Sequence, residues 1–252
     1  MAIVRVQGNA RGASVTATIS VTMASPPTSG NVLVLVYGSY GGVAYIKVTS
    51  ISQIGVTWTQ QVSKVYTDDN RLDSEIWFGV VGAGADDDLT VNTDWASGAV
   101  YHVADVCEYS GVLTASFLDK TATDSGHTAT PTTGTTAATT QNDELWIGTI
   151  DCSKIATDCT QSLPTNGFTL MDGAFYSRLS VSYLEKIVSA TGAASAGTTS
   201  AAGALTEHAS CIATFFAAAA AAGFARPLVF HSHTIRCGKT KKRTIIYSRC
   251  KG

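Results

Sequence analysis

From Ser14 the chain reads "SVTATISVTM", small polar and apolar side chains taking turns, and this two-residue alternation recurs along most of its 252 residues. A period of two sends successive side chains to opposite faces of an extended strand, whereas an amphipathic helix needs apolar positions every three to four residues. "NVLVLVYG" at 31–38 is nearly all apolar, as suits a strand covered on both faces. "VAYIKVTSI", "VTWTQQVSKVY", "SEIWFGVV", "LTVNT", "AVYHVADVCEYS", "ELWIGTID", "GFTLMDGAFY", "LSVSYLEKIV" and "ASCIATFF" continue the pattern, and "GSYGG", "TDDNRLD", "GAGADDD" and "PTNG" punctuate it with turn residues. No long amphipathic helix precedes residue 216. The expected class is all-β: a jelly-roll-like antiparallel β-sandwich over residues 1–216, with a C-terminal extension at 217–252.

Two long Thr/Ala/Gly-rich connections interrupt the strands, "TATDSGHTATPTTGTTAATTQND" from Thr121 and "SATGAASAGTTSAAGALTEH" from Ser189. They match at an offset of 66 residues: Leu118-Asp119-Lys120 with Leu184-Glu185-Lys186, Gly126 with Gly192, and Thr132-Thr133 with Thr198-Thr199. The match predicts an internal repeat in which two equivalent connections carry strands between sheets, as Greek-key topology requires.

Charge is segregated. Residues 1–217 hold 9 Lys and Arg against all 19 Asp and Glu, a formal −10, and residues 218–252 hold 8 Lys and Arg and no acid, a formal +8. An asymmetry of this kind marks an interaction tail. The tail opens with six alanines, expected to form a spacer or short helix. It continues as "RPLVFHSHTIRCGKTKKRTIIYSRC", two alternating runs flanking a Gly- and Lys-rich turn. A lone hairpin is marginal in water, so this one is expected to dock on a partner through Arg226, Phe230, Arg236, Lys239, Lys241, Lys242, Arg243, Tyr247 and Arg249. Its apolar positions favour a protein partner over a phosphate backbone, which Lys and Arg alone would serve. "MAIVRVQGNARG" carries no secretory signal pattern and no run reaches the roughly 18 apolar residues of a membrane span. The expectation is therefore a chain made in the cytosol and kept there or released by lysis, with no membrane partner.

The order "GNVLVLVYGSYGG", "GVTWTQ", "IWFGVVGAGADDDLTVN", "VADVCEYSGV", "LDKTATDSG", "DELWIGTI", "GFTL" and "LEKIVSATGAASAG" resembles a jelly-roll-like β-sandwich module recurrent in bacteriophage virion proteins and in bacterial secreted or adhesive proteins. The resemblance covers roughly residues 28–216 and rests on strand order and turn motifs. It implies a sandwich fold and a role in assembly or adhesion, and says nothing about the tail.

No catalytic constellation is legible. The five histidines lack a nucleophile elbow. Glu75, Glu108, Glu144 and Glu185 sit in strands, and a glycosidase would need two of them facing one cleft. Calcium needs several hard oxygen ligands, for which Asp68, Asp69 and Asp73 in one turn and Asp86, Asp87 and Asp88 in another are the weak candidates. His231, His233, Cys237 and Cys250 are a weak zinc set. Cys152 and Cys159 bracket a six-residue loop and form the candidate disulfide. Trp58, Trp77 and Trp146 are expected in the core, and Trp95, in "VNTDWASG", is the candidate glycan contact. The reading is a non-enzymatic virion structural protein without a cofactor: a phage capsid decoration, head-fibre or tail-associated component. It would be located in the virion and would assemble with its own copies, a trimer being the guess, and with other virion proteins. The alternative is a carbohydrate-binding or adhesive module whose partner is a surface glycan. Nucleic acid is the third, less favoured partner.

Overall fold

"NVLVLVYG" is the centre of the molecule. The computed structural model describes residues 2–41, 45–67, 71–95, 100–153, 159–173, 175–200 and 206–219, and in it this run forms a strand in which every residue is buried. The even positions Val32, Val34 and Val36 enter one core and the odd positions Leu33, Leu35 and Tyr37 enter another on the opposite face. The unbroken apolar run is thus what a strand between two layers requires.

The first eight strands are β1 (Val4–Ser14), β2 (Thr18–Thr22), β3 (Val32–Gly41), β4 (Val48–Ser52), β5 (Val56–Tyr66), β6 (Leu72–Val81), β7 (Asp88–Thr93) and β8 (Val100–Ser110). They make a five-stranded sheet in the order β1-β8-β3-β6-β5 and a three-stranded sheet in the order β2-β7-β4. The antiparallel pairs are nested: β1 with β8, β2 with β7, β3 with β6. β5 leaves the nest and pairs with β6. Ile19, Val21, Leu89 and Val91 of the small sheet close over Leu33, Leu35, Ala104 and Val106 of the large one.

The other strands are β9 (Leu118–Thr128), β10 (Asp143–Ser153), β11 (Gln161–Ser162), β12 (Thr169–Asp172), β13 (Phe175–Tyr176), β14 (Leu179–Ser189), β15 (Thr199–Ser200) and β16 (Thr206–Phe216). A second large sheet runs β12-β14-β10-β16-β9, β13 adds to β14, and β11 pairs with β15. Leu145, Ile147, Val181, Tyr183, Cys211 and Phe215 pack against Val32, Val34, Val36, Ile76 and Phe78 in the main core. Phe78 stacks on Phe117 with centroids 3.7 Å apart and leans on Phe215 at 5.0 Å. The described body is all-β and antiparallel, a β-sandwich built of three stacked sheets.

A fourth layer comes from the Thr-rich connections, and here the structure departs from expectation. They do not carry strands between sheets, because β9, β10, β14 and β16 all belong to one sheet. Instead the connections meet over its outer face, covering Trp146, Ile150, Leu184 and Ile212 with Ala194 and Ala196. Thr133, Thr136 and Thr139 each donate a backbone N–H, to the carbonyls of Ala196, Ala194 and Gly192 at 2.9–3.0 Å. Each threonine hydroxyl accepts the N–H of the same partner residue, at 3.0, 2.9 and 3.2 Å. Contacts spaced three residues apart on one side thus meet contacts spaced two apart on the other.

The 66-residue offset takes a different form from the one expected. Ile147 of β10 pairs directly with its counterpart Ala213 of β16, and β14 flanks β10 as β9 flanks β16. Lys120 lies opposite Thr214, and its counterpart Lys186 lies opposite Trp146, a two-residue difference that leaves side chains on their faces. The two strand–connection–strand units are related by an approximate two-fold axis between β10 and β16.

β16 ends at Phe216. The first compact unit runs to Ala220. Of the alanine run, residues 217–219 are described and are not helical: Ala217 N–H donates to Asp143 O at 3.1 Å and Ala218 N–H to Gly111 O at 2.7 Å.

Candidate functional site

Alternation places a group of titratable residues inside rather than outside. Odd positions of β6 face the small sheet, so Asp73 and Glu75 point into the layer that holds Tyr37 of β3 and His102 of β8, and all four are fully buried. Glu75 is surrounded by donors. Its Oε1 accepts the Val48 N–H at 2.9 Å, and its Oε2 accepts Gln60 Nε2 at 2.7 Å and Trp77 Nε1 at 2.6 Å. Asp73 has no such donor on either oxygen. Its carboxyl is pushed up to about 9 by burial first, then by the charge of Glu75 and a hydrogen bond to it, with Lys47 pulling the other way. Tyr37 Oη and Ser39 Oγ both donate to Ile46 O, at 2.9 and 2.8 Å, and Tyr37 Oη lies 3.4 Å from His102 Nδ1. Burial pulls His102 down to about 4, partly offset by a backbone bond at Thr16, so the ring is neutral.

Through the sheet, Asp151 of β10 lies over Gly38, where a Cβ would run into its carboxylate. Asp151 is fully buried and raised well above the carboxylate range, by burial first and then by Asp73. Two further acids are buried apart from this centre. Asp105 is pushed up to about 7 by burial, with Arg11 opposing at 3.6 Å while Arg11 also reaches Asp172 at 2.6 Å. Glu144 is pushed up to about 7 by burial, with the Trp146 indole N–H opposing at 2.9 Å.

The four strand glutamates do not converge. Glu75 is in the centre just described, Glu108 binds Gln7, Asn31 and the Thr28 N–H, Glu144 binds Trp146, and Glu185 pairs with Arg5 and the Tyr109 hydroxyl. None of these pairs flanks a shared cleft. Asp73, expected in a solvated calcium-type turn, is instead a buried strand residue, because the alternation of β6 begins at Leu72 and carries Asp73 inward. Asp68 and Asp69 lie outside the described residues. Asp86, Asp87 and Asp88 do come together, their side-chain oxygens within 4.8 Å of one another where the turn enters β7.

Cys152 and Cys159 are both buried thiols and are not joined, which corrects the expected bridge. The Cys159 thiol instead donates to the Cys152 carbonyl at 3.2 Å. Trp146 is buried and Trp58 and Trp77 pack against the second core, as expected, while Trp95 is half-buried. The arm residues Arg226, Phe230, Arg236, Lys239, Lys241, Lys242, Arg243, Tyr247 and Arg249, and the zinc candidates His231, His233, Cys237 and Cys250, lie outside the described residues.

Two surfaces remain. A row of side chains crosses the end of the central sheet: Tyr101 pairs with Tyr40, Tyr40 with Leu72, and Leu72 with Tyr66. Tyr101 lies 5.9 Å from Tyr40 and 6.5 Å from Tyr176 by ring centroids. An open pocket of about 710 Å³ is lined by Ala2, Ile3, Asp143, Ile187 and Ala217–Ala219, where the C-terminal segment leaves the body. Comparison with protein-family models, curated proteins and solved structures finds no match.

Proposed function

We propose that this protein is a non-enzymatic structural component of a virion, of the capsid-decoration, head-fibre or tail-associated kind, assembling through its C-terminal arm. The observation that carries the reading is the segregation of charge, −10 on residues 1–217 and +8 on residues 218–252. A stacked body most of whose described acids keep some exposure to solvent, and a tail holding only bases, are suited to joining copies tail to body, each supplying the other's counter-charge. The nested pairs β1–β8, β2–β7 and β3–β6 also support a jelly-roll wrap for residues 4–110, with β5 transferred to the larger sheet. Closed homo-oligomers are the usual outcome of such contacts, and a trimer is our reading.

The test is solution mass for the full chain and for a chain ending at Ala219, which keeps the bonds of Ala217 and Ala218 to the body. Both are measured at low and high salt. The full chain is expected to be oligomeric at low salt and the shortened chain monomeric. Two monomers would overturn the proposal.

One observation favours a second reading, a glycan-binding module. Tyr66, Tyr101 and Tyr176 are half-buried at one end of the sandwich, and rings that keep an exposed face stack on sugars. Saturation-transfer NMR with neutral oligosaccharides would then show contact at these tyrosines, and Tyr101→Ala would abolish it.

A further inference from the structure

The start of β4 is fastened to the central sheet by polar bonds that converge on one place. Val48 N–H donates to Glu75 Oε1 at 2.9 Å, the Ile46 carbonyl accepts from Tyr37 and Ser39 at 2.9 and 2.8 Å, and Lys47 N–H donates to Asp94 Oδ1 at 2.8 Å. Glu75 is the hub. Its two oxygens take three N–H donors from three different elements: Val48 at the head of β4, Gln60 on β5 and Trp77 on β6 itself.

A carboxylate with that many donors is the acceptor of any further bond. Asp73 is its neighbour two residues back on the same face, fully buried, with no hydrogen-bond partner on either oxygen and with Glu75 as the leading charge acting on it. Two carboxyl groups side by side on one buried face resist both being ionised, and the three donors on Glu75 against none on Asp73 assign the proton to Asp73. We propose that the Asp73–Glu75 pair is a proton-held clamp: the proton on Asp73 lets Glu75 hold the head of β4 against the central sheet, and its loss releases that corner of the outer sheet.

The groups that face the pair leave little to replace the proton. From β3 comes Tyr37, a neutral phenol raised well above its ordinary range by burial. From β8 comes His102, held neutral by burial. From the segment before β4 comes Lys47, whose positive charge favours ionisation of Asp73, and after β7 comes Asp94, whose negative charge opposes it. Across the sheet lies Asp151, its carboxyl raised well above the usual range by burial, whose charge would add to the repulsion. When Asp73 ionises, a second charge sits beside Glu75 with Lys47 as the nearby counter-ion. The cheapest relief is for the Val48–Glu75 contact to open and admit water.

The direction in pH follows from the sign of the shift. Asp73 in the folded chain titrates at about 9, against 3.8 for an ordinary Asp, so the contribution to stability is complete below about 4 and is lost as pH rises through about 9. The experiment is amide hydrogen exchange in β4, at Val48, Ile51 and Ser52, from pH 7 to 10, corrected for the intrinsic pH dependence of exchange. Wild type is compared with Asp73→Asn, whose amide donates to Glu75 at every pH. Protection in wild type is expected to fall at least tenfold across pH 8–10, and the variant to stay flat. Equal behaviour of the two chains, flat or falling, would overturn the clamp. If Asp73→Asn does not fold, carboxyl-carbon NMR of the wild type decides. A transition of Asp73 between pH 8 and 10, in step with loss of β4 protection, supports the clamp, and an Asp73 already ionised at pH 7 refutes it.

Discussion

At the residue scale, the unusual quantity is the number of acids kept out of water. Asp73, Glu75, Asp105, Glu108, Glu144 and Asp151 are all fully buried. Asp105 and Glu144 are each pushed up to about 7, and Asp73 to about 9, with burial the leading cause in every case. An acid raised in the folded state binds protons that the unfolded chain releases, so its contribution is lost as pH rises from the unfolded value to the folded one. His102, pulled down to about 4, works the other way, costing stability as pH falls below about 6.5. The carboxyls outnumber the histidine, so the thermal midpoint is expected to decline from pH 5.5 to 9, most steeply up to about 7. A midpoint that rises over that range would contradict the assigned proton positions. The aromatic core gives a simpler expectation. Phe78 stacks with Phe117 and leans on Phe215 in a fully buried site, so Phe78→Ala should cost about 3–5 kcal/mol in urea unfolding.

At the element scale, the strands were legible in the sequence and their partners were not. The alternating runs at 14–23, 56–66, 144–151 and 209–216 overlap β2, β5, β10 and β16, because the period of two is a local property of each strand. Burial on both faces of β3 could also be read, since only a strand between layers can be apolar at every position. What composition hid was the role of the threonines. "PTTGTTAATT" looks like a loose polar connection, yet Thr133, Thr136 and Thr139 are buried and hydrogen-bonded through both backbone and hydroxyl. Their three-residue spacing is a signal only once the partner strand is known. Thr136→Val keeps shape and removes the hydroxyl that accepts the Ala194 N–H. It should destabilise by about 1–3 kcal/mol, the cost of an unsatisfied buried donor, measured by chemical denaturation. A neutral result would mean that the connection does not seal the outer face.

The carboxylates show the same limit. Asp73 stands in "TDDNRLD", whose composition reads as a solvated turn, but strand phase turns it inward. Phase depends on where β6 starts, and a shift of one residue would have put Asp73 in water. The Cys152–Cys159 bridge was inferred from spacing along the chain, while orientation decides bonding, and one thiol faces the other residue's carbonyl.

At the scale of the whole molecule, the chain folds in two sequential halves. Residues 4–110 supply both sheets of the first layer pair, and residues 118–216 supply the sheet that closes over the central one. β1 must find β8 across some hundred residues before the central sheet is complete. Non-local pairing of this kind slows folding, so refolding from urea is expected in the range of seconds or slower rather than milliseconds. A chain cut after Val112 would leave Val32, Val34, Val36, Ile76 and Phe78 without their cover. It should bind a hydrophobic dye that the full body excludes.

The approximate two-fold axis between β10 and β16 has a bearing on origins. In the sheet, β9 bonds to β16 and β14 to β10, so the outer strand of each unit is held by the inner strand of the other. Such reciprocity is what two identical short chains, each of one strand–connection–strand unit, would show if they had first met as separate molecules and a later duplication had fused them in tandem. The matching Leu-Asp-Lys and Leu-Glu-Lys, and the threonine pairs at 132–133 and 198–199, would then be the surviving marks of a common ancestor.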